Sequence, residues 1–384
     1  MSDSPDKAAP TGEAGETTER PVGTVRGRTA NDTGSRQSGG PRLSRRGWTM
    51  VASGVLVLTF AVLGAFVRVP YVALGPGPTY DTLGDVDGTE VVSVDGTRTY
   101  DTDGELRMTT VSLNDNMTLF GALGMWLSGR YALAPREEYF LPGQSDEEVR
   151  QENLRQFRSS QSNAEVAALR RLGYPVQAVV EQVVEGSPAA DVLQPGDRIV
   201  RIDGKDVTDS AGVRKVLAGT RPGQTVPVTF HRDGEPERTE SVTLTRHPGG
   251  SHGFIGIQPT DRADVPFDVD VALEDVGGPS AGLIFALAIM DELTPGAMTD
   301  GRSIAGTGTI DAEGNVGEIG GISFKLVAAH EAGAEAFLVP EGNCGEAVVT
   351  APEGLRLVRV ATLDDAVNAV ESLAKGRPVP SCAG

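Results

Sequence analysis

Residues that build metal sites are scarce in this sequence, and several catalytic motifs are missing. The 384 residues include two cysteines and four histidines, with no CxxC pair and no HExxH motif. We therefore expect no bound metal or other cofactor. A GxxxxGK[ST] phosphate-binding motif is also missing, so ATPase chemistry is not expected. The net charge of −19 argues against nucleic-acid binding, because that needs clustered positive charge.

The cysteine content leaves one structural question open. Cys344 and Cys382 are the only two cysteines. They can form a single disulfide if this part of the chain lies outside the cytoplasm. Their spacing does not show whether the two sulfurs approach each other.

A long apolar run near the N-terminus sets the expected compartment. Residues 1–46 hold few large apolar side chains, which predicts a disordered cytoplasmic tail. Residues 48–67 are 20 uncharged, mostly apolar positions, preceded by Arg42, Arg45 and Arg46. That length spans a bilayer, and the positive-inside rule sends everything after it outward. We expect a single-pass protein of the cell membrane.

Two other interpretations of this run remain. It can be a cleaved signal peptide, since the paired arginines resemble a twin-arginine signal. However, no A-x-A site follows, and the run is longer than a usual signal-peptide core. It can also be the buried core helix of a soluble domain, although the polar tail beside it argues against that.

The exported part begins with mixed strand and helix signals. Residues 91–94 and 106–113 alternate enough to predict strands, and residues 163–172 have alanine and leucine at helical spacing. Residues 71–84 suggest an extended, turn-rich stretch, and residues 136–160 a charged helix and connector. We assign residues 71–172 to the first part of an α+β domain.

Residues 175–247 have a separate character. Strand patterns occur at 176–184, 197–202, 226–231 and 240–244, a helix at 210–218 and a short helix from 186 to 190. The segment VVEGSPAADVLQPGDRIVRIDGKDV (183–207) resembles the PDZ domains of exported bacterial proteases. That resemblance implies a domain that binds the C-terminal end of a polypeptide. The glycine-rich carboxylate loop of such domains is not evident before Val183.

One serine lies where chemistry is expected. Ser280 follows Gly278 and Pro279 and precedes Ala281, in a turn that leads into an apolar run. Glycine allows a substrate to approach the backbone closely, and free N–H groups at a helix start suit an oxyanion. We predict Ser280 as nucleophile, with the backbone of Gly278, Pro279 and Ala281 at the oxyanion. Ordinary helix capping by a serine is the simpler alternative.

The base that activates this serine is expected to be a lysine. GPSAG also fits the G-x-S-x-G elbow of α/β-hydrolases, but only His330 follows and too few residues remain for that fold. Lys325 is the only lysine between Ser280 and Lys375, and its neighbours are apolar. Burial lowers the pKa of an amine, which would let Lys325 accept the serine proton. The alternative is a solvated surface lysine.

Three sequence blocks resemble the proteolytic domain of Lon proteases. They are GGPSAG (277–282), TGTIDAEGNVGEIGG (307–321) and ISFKLVAAHEAGAEAFLVPEGN (322–343), and the similarity covers residues 266–373. The resemblance implies a Ser-Lys dyad formed by Ser280 and Lys325, with Thr307 holding the lysine. Many Lon enzymes have an acid three positions before the serine, whereas this chain has Gly277. Glu274 and Asp275 lie nearby, but their role is open.

The combination of anchor, PDZ segment and Lon-like segment resembles the YlbL-like proteins of Gram-positive bacteria. It implies an α+β fold, in which a PDZ domain is inserted into a Lon-type proteolytic domain behind one transmembrane helix. The catalytic core would span residues 250–374, followed by a tail at 375–384. We therefore expect an ATP-independent serine endopeptidase of the cell envelope, acting on polypeptides.

Two further expectations accompany this one. Analogy with Lon-like domains suggests a homo-oligomer, such as a hexamer. The rival function is a catalytically silent envelope adaptor that binds partners through its PDZ domain.

Overall fold

The computed structural model describes residues 44–140, 143–273 and 276–383. The predicted cytoplasmic tail lies outside these residues except for its last three positions, and Glu274 and Asp275 also lie outside them. The described residues form a mixture of helices and β-sheets, which confirms the predicted fold class.

The apolar run near the N-terminus is a single helix. α1 (Arg45–Phe66) has 22 residues, and most of its large apolar side chains are exposed. At 1.5 Å per residue it is about 33 Å long, close to the thickness of a bilayer core. By length and composition α1 can cross a membrane.

The segment after α1 contributes strands and one long helix. Its elements are β1 (Tyr71–Asp81), β2 (Asp85–Val86), β3 (Thr89–Glu90), β4 (Val92–Asp95), β5 (Glu105–Asn114), α2 (Leu119–Leu127), β6 (Ala132–Pro135) and α3 (Asp146–Arg171). Residues 136–160 were predicted as a charged helix and a connector before a separate helix, whereas from Asp146 onward the chain forms one unbroken helix of 26 residues. A capping box between Ser145 and Glu148 fixes its start. The first half of α3 is mostly polar, with Val149, Leu154 and Phe157 as its only large apolar residues, so its continuity is not evident from the sequence.

The middle segment forms a second sheet. Its elements are β7 (Val176–Val183), β8 (Arg198–Ile202), β9 (Lys205–Asp206), α4 (Ser210–Ala218), β10 (Thr225–His231), β11 (Arg238–Thr243), β12 (Thr245–Arg246), β13 (Gly253–Phe254) and β14 (Ile257–Ala263). The sheet order is β11-β10-β8-β7-β14, with every pair antiparallel. We call residues 176–263 the inserted unit. The short helix predicted at 186–190 is a series of turns, and β14, beyond the predicted boundary at residue 247, completes the sheet.

The last segment alternates helices and strands. Its elements are β15 (Asp268–Val271), α5 (Gly282–Leu293), β16 (Ser303–Gly306), β17 (Thr309–Ile310), β18 (Val316–Gly317), α6 (Ile322–Glu331), β19 (Ala336–Pro340), α7 (Cys344–Thr350), β20 (Arg356–Val360) and α8 (Leu363–Ala374).

Strands from both sides of the inserted unit share one sheet. The order is β20-β19-β16-β5-β1-β6, so β1, β5 and β6 from before the unit join β16, β19 and β20 from after it. β5 pairs in parallel with β16 and antiparallel with β1. This topology confirms the predicted insertion.

The main sheet has a core on each face. On one face lie α3, α5 and α8, and α5 is buried on all sides from Gly282 to Asp291, as its continuous apolar sequence requires. On the other face lie α6 and α7. A disulfide joins Cys344 to Cys382 and ties the C-terminal tail to this second core.

Candidate active site

Lys325 is a buried amine with three polar contacts. It belongs to α6, and only 2% of the residue is exposed. Its Nζ lies 3.1 Å from the carbonyl oxygen of Thr109, 2.9 Å from the Oγ1 of Thr307 and 2.7 Å from the Oγ of Ser280. Burial lowers the pKa of Lys325 from 10.5 to about 7, because the low-dielectric interior disfavours the charged ammonium. The lysine can therefore exchange a proton near neutral pH.

Ser280 lies in the loop between β15 and α5, two residues before the helix begins. Its carbonyl oxygen accepts a hydrogen bond from the Oγ1 of Thr307 and another from the N–H of Gly308, both at 2.9 Å. These two bonds join the serine backbone to the segment that follows β16. The backbone of Ser280 is therefore fixed next to Thr307, and its Oγ reaches the Nζ of Lys325.

Thr307 determines how a neutral Lys325 must point. Its hydroxyl proton is donated to the carbonyl of Ser280, so its oxygen can only accept from the lysine. The carbonyl of Thr109 is likewise an acceptor only. A neutral amine has two N–H donors and one lone pair. With both donors used by Thr307 and Thr109, the lone pair is directed at Ser280.

The sequence indicated only part of this contact set. The residue patterns indicated Ser280 and Lys325, the resemblance to Lon proteases implied Thr307, and the structure brings these three together. Thr109 was missed because it acts through its main-chain carbonyl on β5, and a main-chain acceptor leaves no signal in the sequence.

The long helix α3 holds the serine loop from behind. The carbonyl of Asn153 accepts a hydrogen bond from the N–H of Gly278 at 3.0 Å, and the hydroxyl of Ser160 donates to the carbonyl of Pro279 at 2.9 Å. Both residues lie in the stretch predicted as a charged helix and connector, and nothing in that pattern indicated a contact with the serine loop. Because α3 continues beyond the serine loop, Ser160 is on the same helix as Asn153 and also reaches the loop.

Helix α3 also explains the glycine three positions before the serine. A Cβ at Gly277 would lie 2.9 Å from the Cβ of Asn153. A Cβ atom is fixed by its backbone and cannot rotate away. An acidic side chain at this position would therefore require the serine loop or α3 to shift. The other two acids considered from the sequence, Glu274 and Asp275, lie outside the described residues.

The predicted oxyanion donors need correction. Pro279 has no N–H group, and the N–H of Gly278 is already bonded to Asn153. Within the described residues, no acceptor contacts the N–H of Ser280 or of Ala281. Of the three predicted positions, Ala281 is the one whose N–H stays available, and Ser280 supplies a second.

A cleft of about 410 Å³ opens above these groups. One wall comes from β5 at residues 108–111 and the other from the serine loop at residues 276–281. The Oγ of Ser280 is reached from this cleft, whereas Lys325 forms part of its buried floor. The cleft can accept an extended segment of polypeptide between its two walls.

The inserted unit has a second site with open hydrogen-bonding groups. β14 is an edge strand, and Ile255 and Gly256 form the short loop between β13 and β14. Among the described residues, none accepts from the N–H of Ile255 or Gly256. Gly256 has φ +87°, and a Cβ there would lie 2.1 Å from the Cβ of Ser187, so only glycine fits. The expected carboxylate loop was sought before Val183, whereas this loop follows the other strands of its sheet.

Helix α4 packs against β14 and β7. Val213 and Val216 of α4 belong to the same core as Ile255, and Leu217 and Ile257 pack against that core. The two free N–H groups of the loop therefore lie at the start of β14, next to the apolar residues of α4.

Comparison with protein families identifies two domains in the chain. Residues 149–243 match the PDZ domain family, and residues 264–371 match the Lon protease (S16) C-terminal proteolytic domain. The chain therefore carries a PDZ domain and a Lon-type proteolytic domain, as the sequence motifs predict.

Individual relatives agree with the second match. The chain is 36% identical over 108 residues to a Lon protease of Campylobacter concisus, covering 27% of this chain and 13% of that protein. It is 33% identical over 215 residues to a Lon protease of Azospirillum brasilense, covering 49% of this chain and 26% of that protein. The chain thus spans about a quarter or less of these relatives.

The solved structures that match part of this chain include PDZ domains. The PDZ domain of the SdrC-like protein from Listeria monocytogenes is 29% identical to the matched region, with a TM-score of 0.20. The match covers 21% of this chain and 85% of that domain.

Proposed function

We propose that this chain is an ATP-independent serine endopeptidase of the cell envelope that uses Ser280 as nucleophile and Lys325 as general base. The observation that carries the proposal is the 2.7 Å contact between Lys325 Nζ and Ser280 Oγ. It supports a dyad because the amine is buried, has a pKa near 7 and directs its lone pair at the hydroxyl. The Lon-type proteolytic domain supports peptide-bond hydrolysis as the reaction.

The proposed reaction is acyl transfer in two steps. Neutral Lys325 takes the proton from Ser280 while the Oγ attacks a peptide carbonyl in the cleft. The N–H groups of Ser280 and Ala281 stabilise the oxyanion that forms. The ammonium of Lys325 then protonates the leaving amine, which breaks the C–N bond. Lys325, neutral again, deprotonates a water that hydrolyses the acyl-enzyme and frees Ser280.

Thr307 acts in this proposal as a positioning residue. It bonds to both members of the dyad, to Ser280 through the backbone carbonyl and to Lys325 through Nζ. Substrate engagement is proposed for the PDZ domain, whose loop at Ile255 and Gly256 would take the carboxylate of a polypeptide end. The remainder of the peptide would then add to β14 as an edge strand.

The proposed location is outside the cytoplasmic membrane, with α1 as anchor. The arginines that precede α1 favour a cytoplasmic N-terminus. The Cys344–Cys382 disulfide supports an oxidising compartment for the proteolytic domain, since cytosolic proteins rarely keep such bonds.

The test uses the purified full chain in detergent micelles, without nucleotide. A fluorogenic unfolded-protein substrate should be cleaved by the wild type, and a serine-reactive phosphonate should label it. Ser280→Ala should abolish both signals. Lys325→Arg should reduce both by at least about 10³-fold, because a guanidinium stays protonated. Circular dichroism confirms that each variant is folded. Undiminished hydrolysis in either variant would overturn the dyad, and a wild type inert in both assays would favour the adaptor function.

A further inference from the structure

A short apolar helix in the exported part is left uncovered. Five of the nine residues of α2 are large apolar side chains that are between 45% and 69% exposed. They are Leu119, Phe120, Leu123, Trp126 and Leu127. The whole stretch from residue 117 to 129 carries no charged side chain, in a chain whose net charge is −19. Clusters of this size on a protein surface indicate a binding face.

The exposed side chains of α2 share one side of the helix. Leu119, Leu123 and Trp126 follow the spacing that aligns residues along a helix, and Leu127 continues it one turn after Leu123. The other side faces the protein, where Ala122 is buried with Ala73 and Met117 in a small core. The helix is therefore apolar on both sides. One side packs against the protein, and the other is exposed to the surroundings.

Backbone hydrogen bonds tie α2 to the end of α1. The N–H of Val69 donates to the carbonyl of Met117 at 3.0 Å, and Arg68 forms an isolated β-bridge with Thr118. α1 ends at Phe66, so α2 begins beside the residues that leave it.

Phe120 extends this contact onto α1 itself. A Cβ at Gly64 would lie 2.8 Å from the ring of Phe120, which shows that the ring lies against this glycine. Gly64 lies two residues, about 3 Å, before the end of α1. If α1 spans the bilayer, its final turn lies at the outer boundary of the acyl chains, and Phe120 lies at the same depth.

We infer that α2 lies in the outer interface of the bilayer that α1 crosses, with Leu123, Trp126 and Leu127 among the lipid acyl chains. This inference rests on the proposed membrane anchor. The occupant is lipid because the face continues directly from the lipid-facing end of α1 and has no charge to repel acyl chains. Tryptophan is also the residue that favours the membrane–water boundary. The helix would hold the proteolytic domain against the membrane at a second point.

The composition of the chain allows a direct test. Trp48 and Trp126 are the only tryptophans. Trp48→Phe leaves Trp126 as the sole emitter on α2, and Trp126→Phe leaves Trp48 on α1. Each full-length variant is reconstituted into phosphatidylcholine vesicles whose acyl chains carry bromine either near the headgroup or near the terminal methyl. Bromine quenches tryptophan that lies at its own depth.

The expected result is quenching of Trp126 by about twofold or more with shallow bromines, and weaker quenching with deep ones. Quenching of Trp48 but not of Trp126 would overturn the inference while leaving the anchor intact, and would show that protein or water covers α2. If neither tryptophan is quenched, the anchor fails, and the inference fails with it.

A second set of variants separates lipid contact from folding. In the Trp48→Phe background, Leu123→Asp with Leu127→Asp should largely remove the quenching of Trp126. Val349→Asp is the matched control, because Val349 is 83% exposed but lies on α7. It should leave the quenching of Trp126 unchanged. Phosphonate labelling of Ser280 confirms that the proteolytic domain is folded. Quenching that survives the double substitution would overturn the inference.

Discussion

The Nζ of Lys325 lies 2.7 Å from the Oγ of Ser280, although 45 positions separate the two residues in the chain. The parallel strands of the main sheet make this meeting possible. Thr307 follows β16 and bonds to the backbone of Ser280, while Lys325 projects from α6, which packs across β1 and β5. The site is thus assembled from three separate segments beside the central strands β5 and β16.

The rate of peptide hydrolysis should follow the protonation of Lys325. Burial lowers the pKa of this amine to about 7. Only the neutral form can accept the serine proton, so kcat/KM should rise about tenfold per pH unit below this value and level off above it. A series of assays from about pH 5 to about pH 9 with one peptide substrate measures the profile. A rising limb centred near the ordinary lysine value would contradict a buried base.

Removing the charge of Lys325 should stabilise the protein while abolishing its activity. The folded-state pKa of about 7 lies below the ordinary value of 10.5. The penalty of burying the amine is therefore absent above about pH 10.5, grows as pH falls and is complete below about pH 7. We expect Lys325→Met to raise the free energy of unfolding by about 1–2 kcal/mol at pH 7, after allowing for the lost hydrogen bonds.

Urea denaturation at several pH values checks this stability effect. The advantage of Lys325→Met over the wild type should shrink as pH rises from about 7 toward about 10. Lys375→Met is the control, since Lys375 is half exposed and its substitution should change stability little. A less stable Lys325→Met protein at every pH would show that the lysine is not held at an energetic cost.

How far the sequence could anticipate this molecule differs between the two domains. Ser280, Thr307 and Lys325 were predicted because their chemistry depends on side chains in recognisable blocks. Thr109 acts through its main chain, so it has no such signature. The continuity of α3 was not predicted, because its mostly polar first half has few apolar residues. Its contacts with the serine loop depend on tertiary packing that no local pattern encodes.

The inserted unit shows a different limit. Its strands and α4 follow the alternating pattern closely, and their bounds agree within about two residues. The loop at Ile255 and Gly256 was missed because it comes last in the order of this sheet's strands. A motif search along the chain looks for neighbours in sequence, whereas β14 is a neighbour of β7 only in space.

Thr307 should prove to be a positioning residue. Thr307→Val keeps the shape but removes the hydroxyl, so Lys325 loses an acceptor and Ser280 loses one of two bonds to its carbonyl. We expect kcat to fall about 10²-fold with little change in KM. The pKa of the rising limb should also fall, because a hydrogen-bond acceptor stabilises the ammonium more than the neutral amine. Thr307→Ser should restore most of the rate, and the pKa of the pH–rate profile should return to its wild-type value.

The matched pair of valine and serine variants separates positioning from folding. A general loss of structure would lower kcat without moving the pH limb, and serine would not rescue it. Equal activity in the valine and serine variants would contradict any role for the hydroxyl. Circular dichroism provides the folded fraction for each variant.

The PDZ domain should distinguish a free peptide carboxylate from its amide. The N–H groups of Ile255 and Gly256 lie in the loop before β14 and donate to no described residue, so an anionic end can accept from both. Full-length Ser280→Ala protein, which binds but does not cleave, is titrated with a fluorescent apolar peptide ending in a carboxylate and with the same peptide ending in an amide. The acid should bind at least about tenfold more tightly, because the amide carries no charge to be stabilised. Equal binding of acid and amide would exclude recognition of polypeptide ends and leave the PDZ domain with a structural role.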